Sequence, residues 1–245
     1  MIIIFPMAGL SSRFAKAGYK LPKYMLDIKG GSVFYNAVNG FKRYFNSCKF
    51  LFIYRDIMDT KNFIKKECAK MNLKNYEVIE LKNETQGQAH TVQLGLEKSN
   101  FDLNDSILIF NIDTFRPNFK LPSSFDISKI DGYLEVFEGD GENWSFVLPK
   151  DEQNVIKTAE KERISPLCSS GLYYFNKASD FISVFDELFQ NNQRTKGEFY
   201  IAPLYNKLIT QGKIIKYFKI QLNEIIFCGT PKEYEDLIIK KESNV

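Results

Sequence analysis

The chain of 245 residues is 44% hydrophobic and 26% charged, the composition of an ordinary water-soluble globular protein with enough length to bury a sizeable core. Its 33 Lys and Arg nearly balance 30 Asp and Glu, and a net charge of +3 excludes the strong basic footprint expected of a nucleic-acid or membrane-surface binder. One His and four scattered cysteines (Cys48, Cys68, Cys168, Cys228) exclude the usual zinc and dithiol spacings and read as reduced core thiols of a cytoplasmic protein.

Apolar runs and helical periodicities alternate through the first half. Ile2 to Phe5 predicts a buried strand, too short for a signal peptide, that runs into a Gly/Ser loop. Val33 to Tyr44 predicts a helix, Leu51 to Tyr54 a strand, Asn62 to Met71 a helix and Tyr76 to Leu81 a strand. Ala89 to Leu96 follows as a helix and Ile107 to Phe110 as a strand. This order predicts an α/β chain with a doubly wound, Rossmann-like sheet covered on both faces.

The second half changes character. Tyr133 to Phe137, Ser145 to Leu148 and Gly171 to Phe175 are strand-like without full helices between them. They predict an antiparallel extension laid over the first unit, which makes the architecture mixed. Ala178 to Phe189 and Phe199 to Ile209 predict helices, and Ile214 to Ile220 a strand. The last helix has a start signal: Thr230 as cap, Pro231 in the first turn and Glu233 completing a Thr-x-x-Glu box. With no linker or repeat, residues 1–245 are expected to form one domain of two halves, about 1–125 and 126–245.

The first loop carries the chemistry. Ala8, Gly9, Leu10, Ser11 and Ser12 follow the first strand directly, where ligands of open parallel sheets bind. Gly and Ser allow backbone N–H groups and hydroxyls to approach a phosphate. Arg13 adds a bidentate phosphate fork, and Lys20 and Lys23 follow, with Pro22 stiffening the approach to Lys23. The loop is neither G-x-x-x-x-G-K-[ST] nor G-x-G-x-x-G, which argues against a P-loop and against a nicotinamide-type oxidoreductase.

The stretch Phe5-Pro6-Met7-Ala8-Gly9-Leu10-Ser11-Ser12-Arg13-Phe14, followed by Lys20-Leu21-Pro22-Lys23, resembles the signature loop of the sugar-phosphate nucleotidylyltransferases. Thr85-Gln86-Gly87-Gln88-Ala89, Asn111-Ile112-Asp113, Glu160-Lys161 and Ser170-Gly171-Leu172-Tyr173 match the family in the same order. Gly197-Glu198-Phe199-Tyr200 and Gly229-Thr230-Pro231 extend the match to nearly the whole chain. The resemblance implies a nucleotidyltransferase (GT-A-like) fold. It also implies transfer of a nucleotidyl group from a nucleoside triphosphate to a phosphorylated small molecule, with release of pyrophosphate.

The resemblance also implies site roles. Arg13 and Lys23 would be catalytic, holding the leaving phosphates and bridging the α-phosphate to the acceptor phosphate. Ala8 to Ser12 and Gln86, Gly87 and Gln88 would bind the nucleotide, the last three facing the base. Asp113, at a strand's carboxyl end, would hold Mg²⁺, a hard cation suited to a carboxylate among phosphate oxygens. Glu160, Lys161, Gly171 and Glu198 would bind the acceptor, with Gly171 letting it approach the backbone. Trp144 and Tyr173 fit either that pocket or the core, and His90 reads as a packed residue.

One departure stands out. The family often has a second aspartate just before the C-terminal Gly-Thr, whereas this chain has Ile225-Ile226-Phe227-Cys228 before Gly229. Glu224 and Glu198 are the available substitutes. The departure keeps open a non-catalytic nucleotide- or sugar-binding relative. Compact relatives serve surface and capsular polysaccharide pathways. Some of them use CTP, which is the donor favoured for this chain, and three acceptor classes stay open: a sugar 1-phosphate, phosphocholine or a phosphorylated amino acid such as phosphoglutamine. Homo-oligomerisation stays open.

Overall fold

The computed structural model describes residues 1–28 and 30–242, with side chains described for 1–28 and 30–239. Nine strands of the described residues form one sheet. In chain order they are β1 (Ile2–Met7), β2 (Lys49–Tyr54), β3 (Tyr76–Glu80), β4 (Ile107–Ile109), β5 (Gly132–Glu138), β6 (Ser145–Pro149), β7 (Val155–Glu160), β8 (Leu167–Phe175) and β9 (Ile215–Lys219). The helices are α1 (Ser12–Lys16), α2 (Val33–Asn39), α3 (Thr60–Lys70), α4 (Gln88–Lys98), α5 (Ala178–Gln190), α6 (Leu204–Thr210) and α7 (Pro231–Glu242). Among the described residues no helix is long and apolar enough to cross a membrane.

The sheet order is β7-β6-β8-β4-β1-β2-β3, with β5 on β8 and β9 on β5. Strands β4, β1, β2 and β3 are parallel, the expected βα half. The antiparallel part is not laid over this half. It continues the same sheet edge to edge, because β8 pairs antiparallel with β4 through Tyr173 and Ile109. Pairing there satisfies the backbone groups of β4, which a covering layer would leave open.

Alternation along β1 shows why both faces are covered. Ile3, Phe5 and Met7 enter one core, while Ile2 and Ile4 enter the other. The first core packs α2, α3 and α7; the second packs α4, α5 and α6. Phe5 meets Phe41 edge-on at 5.5 Å and Phe52 stacked at 5.7 Å. Such pairs contribute about 0.5–1.5 kcal/mol each beyond their buried area.

Three local expectations change. The helix predicted from Val33 stops at Asn39 and resumes as a 3₁₀ turn, Lys42–Tyr44, because the chain at Gly40 lies against the carbonyl of Arg116. The helix predicted from Phe199 starts only at Leu204, because the Phe199 backbone is engaged elsewhere: its N–H donates to Gln86 and its carbonyl accepts from Ala89. Strand β7, hidden in a charge-rich segment, is held to α6 by Asn206, which bonds both backbone groups of Thr158.

The start signal of α7 holds. The Thr230 hydroxyl accepts the Glu233 N–H at 3.2 Å, and the Glu233 carboxylate accepts the Thr230 N–H at 2.9 Å. Both orphan donors of the first turn are satisfied reciprocally.

Candidate active site

A cavity of about 500 Å³ opens at the carboxyl ends of the parallel strands. That volume suits a nucleotide-sized ligand. Of the expected residues, its wall includes Ala8, Gly9, Lys23, Gln86, Gly87, Gln88, Asp113 and Glu198. Arg13, Leu10, Ser11, Ser12, Glu160, Lys161 and Gly171 stand outside that wall.

The first loop turns sharply at Ser11, a left-handed residue (φ 53°) that caps α1. The Ser11 hydroxyl oxygen accepts the Lys23 N–H at 3.1 Å, so the loop also fixes the backbone of Lys23. Pro22 begins the 3₁₀ turn Lys23–Met25, which aims the lysine into the cavity. There Lys23 Nζ lies 2.5 Å from Asp113 Oδ2. Arg13 is exposed in the first turn of α1 and its side chain forms no hydrogen bond or ion pair among the described residues, so its guanidinium is available to a ligand.

Asp113 follows β4 on a short ribbon in which Thr114–Phe115 pairs with Ile226–Phe227. Cys228 N–H donates to the Asp113 carbonyl at 2.9 Å. The segment where the family often places its second aspartate therefore does run beside Asp113, but it brings no carboxylate. Phe227 instead packs on Trp144, with ring centroids 4.9 Å apart. Glu224 does not substitute. Its backbone carbonyl accepts Arg116 Nη1 at 2.6 Å, Oε1 lies 3.7 Å from the same nitrogen, and Oε2 accepts the Gln221 N–H. Glu198 remains as a second carboxylate on the cavity wall. No group of three His, Cys, Asp or Glu ligands occurs among the described residues. A Mg²⁺ site with one firm protein carboxylate fits this donor set, because Mg²⁺ keeps waters and shares phosphate oxygens.

The loop Gln86–Gln88 is clamped to the segment around Phe199. Gly87 has φ +124°, and a Cβ there would fall 2.5 Å from the Phe199 carbonyl oxygen. Only glycine combines that backbone with that approach. The Gln86 side-chain oxygen is buried with no partner among the described residues, which leaves an acceptor for a ligand's donor. The Gln86 N–H donates to His90 Nδ1 at 3.0 Å. His90 stacks on Phe185, and burial, then Arg194, holds its imidazole below the ordinary value. It is a packed residue that braces the loop.

At the acceptor end, Glu160 is buried and accepts a hydrogen bond from Ser145, whose hydroxyl also lies 3.1 Å from Tyr173. Burial pushes the Glu160 carboxyl up, opposed by the Ser145 hydroxyl and by Lys161. Burial likewise pushes the Tyr173 hydroxyl to about 12. Lys161 takes a left-handed conformation (φ 53°), and its ammonium donates to the Tyr200 hydroxyl while lying 4.6 Å from that ring's centroid. Gly171 departs from its expected use. The space over its Cα holds Asn111, whose Nδ2 would be 2.2 Å from a Cβ. Its freedom (φ +86°) therefore seats a side chain rather than the acceptor itself.

Sequence reasoning missed the roles of Asn111, Thr91 and Arg194, all on the cavity wall. Asn111 stood inside a quoted motif without a task. Arg194 lies in an irregular segment with no periodic signal, and only the hairpin closed by Thr195 and Glu198 brings it inward.

No family model matches the chain, and no curated protein matches it. Solved structures do. The nucleoside-diphosphate-sugar pyrophosphorylase of Vibrio cholerae RC9 is 50% identical, with a TM-score of 0.92, over 98% of this chain and 100% of that one. The inositol-1-phosphate CTP transferase of T. maritima is 16% identical with a TM-score of 0.73, over 100% and 96%, a likeness of fold. Half the positions are identical end to end with the first, and Ala8, Gly9, Lys23 and Asp113 meet at one cavity. The chain belongs to the sugar-phosphate nucleotidylyltransferases, the family of the nucleoside-diphosphate-sugar pyrophosphorylases.

Proposed function

We propose that this nucleotidylyltransferase joins the nucleotidyl group of CTP to a phosphorylated small-molecule acceptor of surface or capsular polysaccharide synthesis, releasing pyrophosphate. The observation that carries the reading is the meeting of Lys23 Nζ and Asp113 Oδ2 at 2.5 Å on the cavity wall. A cation and a hard carboxylate at one point suit a reaction whose charge is spread over phosphates.

An acceptor phosphate oxygen attacks the α-phosphorus. A new P–O bond forms as the bond to the bridging oxygen of the β-phosphate breaks, and the electron pair leaves with pyrophosphate. The acceptor phosphate is a nucleophile at neutral pH, so no general base is needed. Catalysis is then positioning and charge neutralisation. Lys23, aimed by Ser11 and Pro22, draws the α-phosphate and the acceptor phosphate together. Arg13 holds the β- and γ-phosphates. Bound Mg²⁺, held by Asp113 with phosphate oxygens and water, would offset negative charge at the α-phosphate.

Ala8 to Ser12 and Gln86 to Gln88 hold the nucleotide from the first half. The lone acceptor oxygen of Gln86 can take a donor from the base, the exocyclic amine of cytosine among them. Glu160, Lys161 and Glu198 hold the acceptor from the second half, through Lys161 at its phosphate. Three acceptor classes fit this reading: a sugar 1-phosphate, phosphocholine and a phosphorylated amino acid.

The test is a matrix of four nucleoside triphosphates against these phosphates, read by pyrophosphate release with Mg²⁺. CTP with one acceptor class should stand out. Silence in every cell would replace the reading with that of a binding protein, the alternative favoured by Phe227 and Cys228 in the segment of the second aspartate.

A further inference from the structure

Asn111 and Gln88 form an amide pair on the cavity wall: Gln88 Nε2 donates to Asn111 Oδ1 at 2.6 Å. That bond uses one function of each amide. Asn111 Nδ2 and Gln88 Oε1 have no hydrogen-bond partner among the described residues. The pair therefore offers the cavity one donor and one acceptor, side by side.

The position of the pair is fixed from behind. Asn111 lies against Gly171, where a Cβ would overlap its amide, so any larger residue at 171 would displace it. Gly171 belongs to β8, the strand that joins the second half to β4. Asp113 is two residues on. Asn111 thus stands between the phosphate centre and the strand of the acceptor half. On the nucleotidyl-transfer reading, the ligand atoms it would meet there are those next to the acceptor's own phosphate.

We propose that Asn111, oriented by Gln88 and seated on Gly171, is a specificity-determining residue that reads an oxygen-bearing group beside the acceptor phosphate. This inference rests on the nucleotidyl-transfer reading. A neighbouring donor and acceptor match a group that both accepts and donates, namely a hydroxyl or a carboxamide. Polyhydroxylated phosphates and carboxamide-bearing phosphates supply one. A trimethylammonium supplies neither, and the amide pair would then be desolvated without replacement, the kind of loss by which polar sites reject analogues. The acceptor is accordingly a sugar phosphate or an amide-bearing amino-acid phosphate rather than phosphocholine.

The experiment compares wild type with Asn111→Leu, which keeps the number and branching of side-chain heavy atoms and removes the hydrogen bonds. Wild type is first assayed for pyrophosphate release with hexose 1-phosphates, phosphoglutamine and phosphocholine. No release with any acceptor would remove the parent reading and leave the amide pair without a reaction to serve. Turnover with a hexose 1-phosphate or with phosphoglutamine, but not phosphocholine, is expected, and the two positive arms separate the sugar from the amide source. In Asn111→Leu the acceptor KM should rise about tenfold or more, the loss of a bond or two of ordinary strength. The calorimetric Kd for the nucleoside triphosphate should stay within twofold. Should Asn111→Leu lose its cooperative melt, Asn111→Ser, which withdraws the amide without adding bulk, carries the same comparison. Phosphocholine as the preferred acceptor would overturn the proposal. So would an unchanged acceptor KM in a folded variant, or a loss confined to nucleotide affinity, which would place Asn111 at the ribose.

Discussion

Lys23 Nζ and Asp113 Oδ2 lie 2.5 Å apart although their residues are 90 positions apart in the chain. Each is the other's counter-ion. Both side chains keep partial exposure, 25% and 17%, so the pair adds little to stability. Lys23→Ala and Asp113→Asn should therefore fold, with melting temperatures near wild type. Each should lose about 10²–10³ in turnover, the usual effect of one positioned electrostatic contact. Arg13→Ala should behave alike, since its exposed side chain has no structural partner among the described residues. Pyrophosphate release beside a thermal melt checks all three, and near-normal turnover would remove the residue from the centre. EDTA should abolish wild-type activity and Mg²⁺ restore it.

Lys161→Ala separates the two halves. Its ammonium, held by the Tyr200 hydroxyl and ring, is a point charge beside the buried Glu160. A charged hydrogen bond contributes about 1.5–3 kcal/mol, or roughly ten- to hundredfold in acceptor KM. Calorimetric affinity for the nucleoside triphosphate should barely move. Equal losses for both ligands would put Lys161 at the shared phosphates instead.

Gly87→Ala tests the clamp over the Gln86–Gln88 loop. The new methyl meets the Phe199 carbonyl at 2.5 Å in a backbone region that L-residues avoid. A strain of about 1–3 kcal/mol is expected. The melting temperature should fall, and nucleotide affinity should fall with it as Gln86 shifts. A variant matching wild type in both would show the loop free to move.

His90 predicts an acid weakness. Its folded-state pKa lies below the ordinary value because burial, and then Arg194, disfavour the imidazolium. The unfolded chain therefore binds the proton more readily, so stability is complete above the ordinary histidine range and is lost as pH falls through the lowered value. Protonation at Nδ1 would also cancel its acceptance of the Gln86 N–H. Nucleotide affinity, measured by calorimetry, should decline over the same acid window, and His90→Gln should flatten the decline.

Arg116 and Glu135 form a buried pair, with Nε to Oε1 at 2.9 Å and Nη2 to Oε2 at 3.0 Å, to which Ser170 adds a hydrogen bond. Burial raises the Glu135 carboxyl, and Arg116 opposes that rise. Arg116→Met leaves the carboxylate uncompensated and should destabilise the fold by about 3–5 kcal/mol, read by denaturant unfolding. A loss under 1 kcal/mol would be about that of an exposed pair.

The continuous apolar run of β1, the 3.6-residue repeats of α3, α4 and α5 and the Thr230 box were legible in the sequence because each depends on neighbours within a turn or a strand. The placing of Ala8, Gly9 and Asp113 at strand ends was legible too, and the fold brings all three to the cavity wall. What the sequence left open lies in contacts between distant segments. Strand β7 was hidden because its support comes from Asn206, 48 residues away. Gly171 looked like a gap for the ligand until the fold filled it with Asn111. Glu224 looked free for a cation until Arg116 engaged it. Local pattern determined most of the elements of the first half. The tertiary structure alone decided which polar groups remain unpaired at the cavity, because pairing a buried polar group is settled by whatever the chain folds against it.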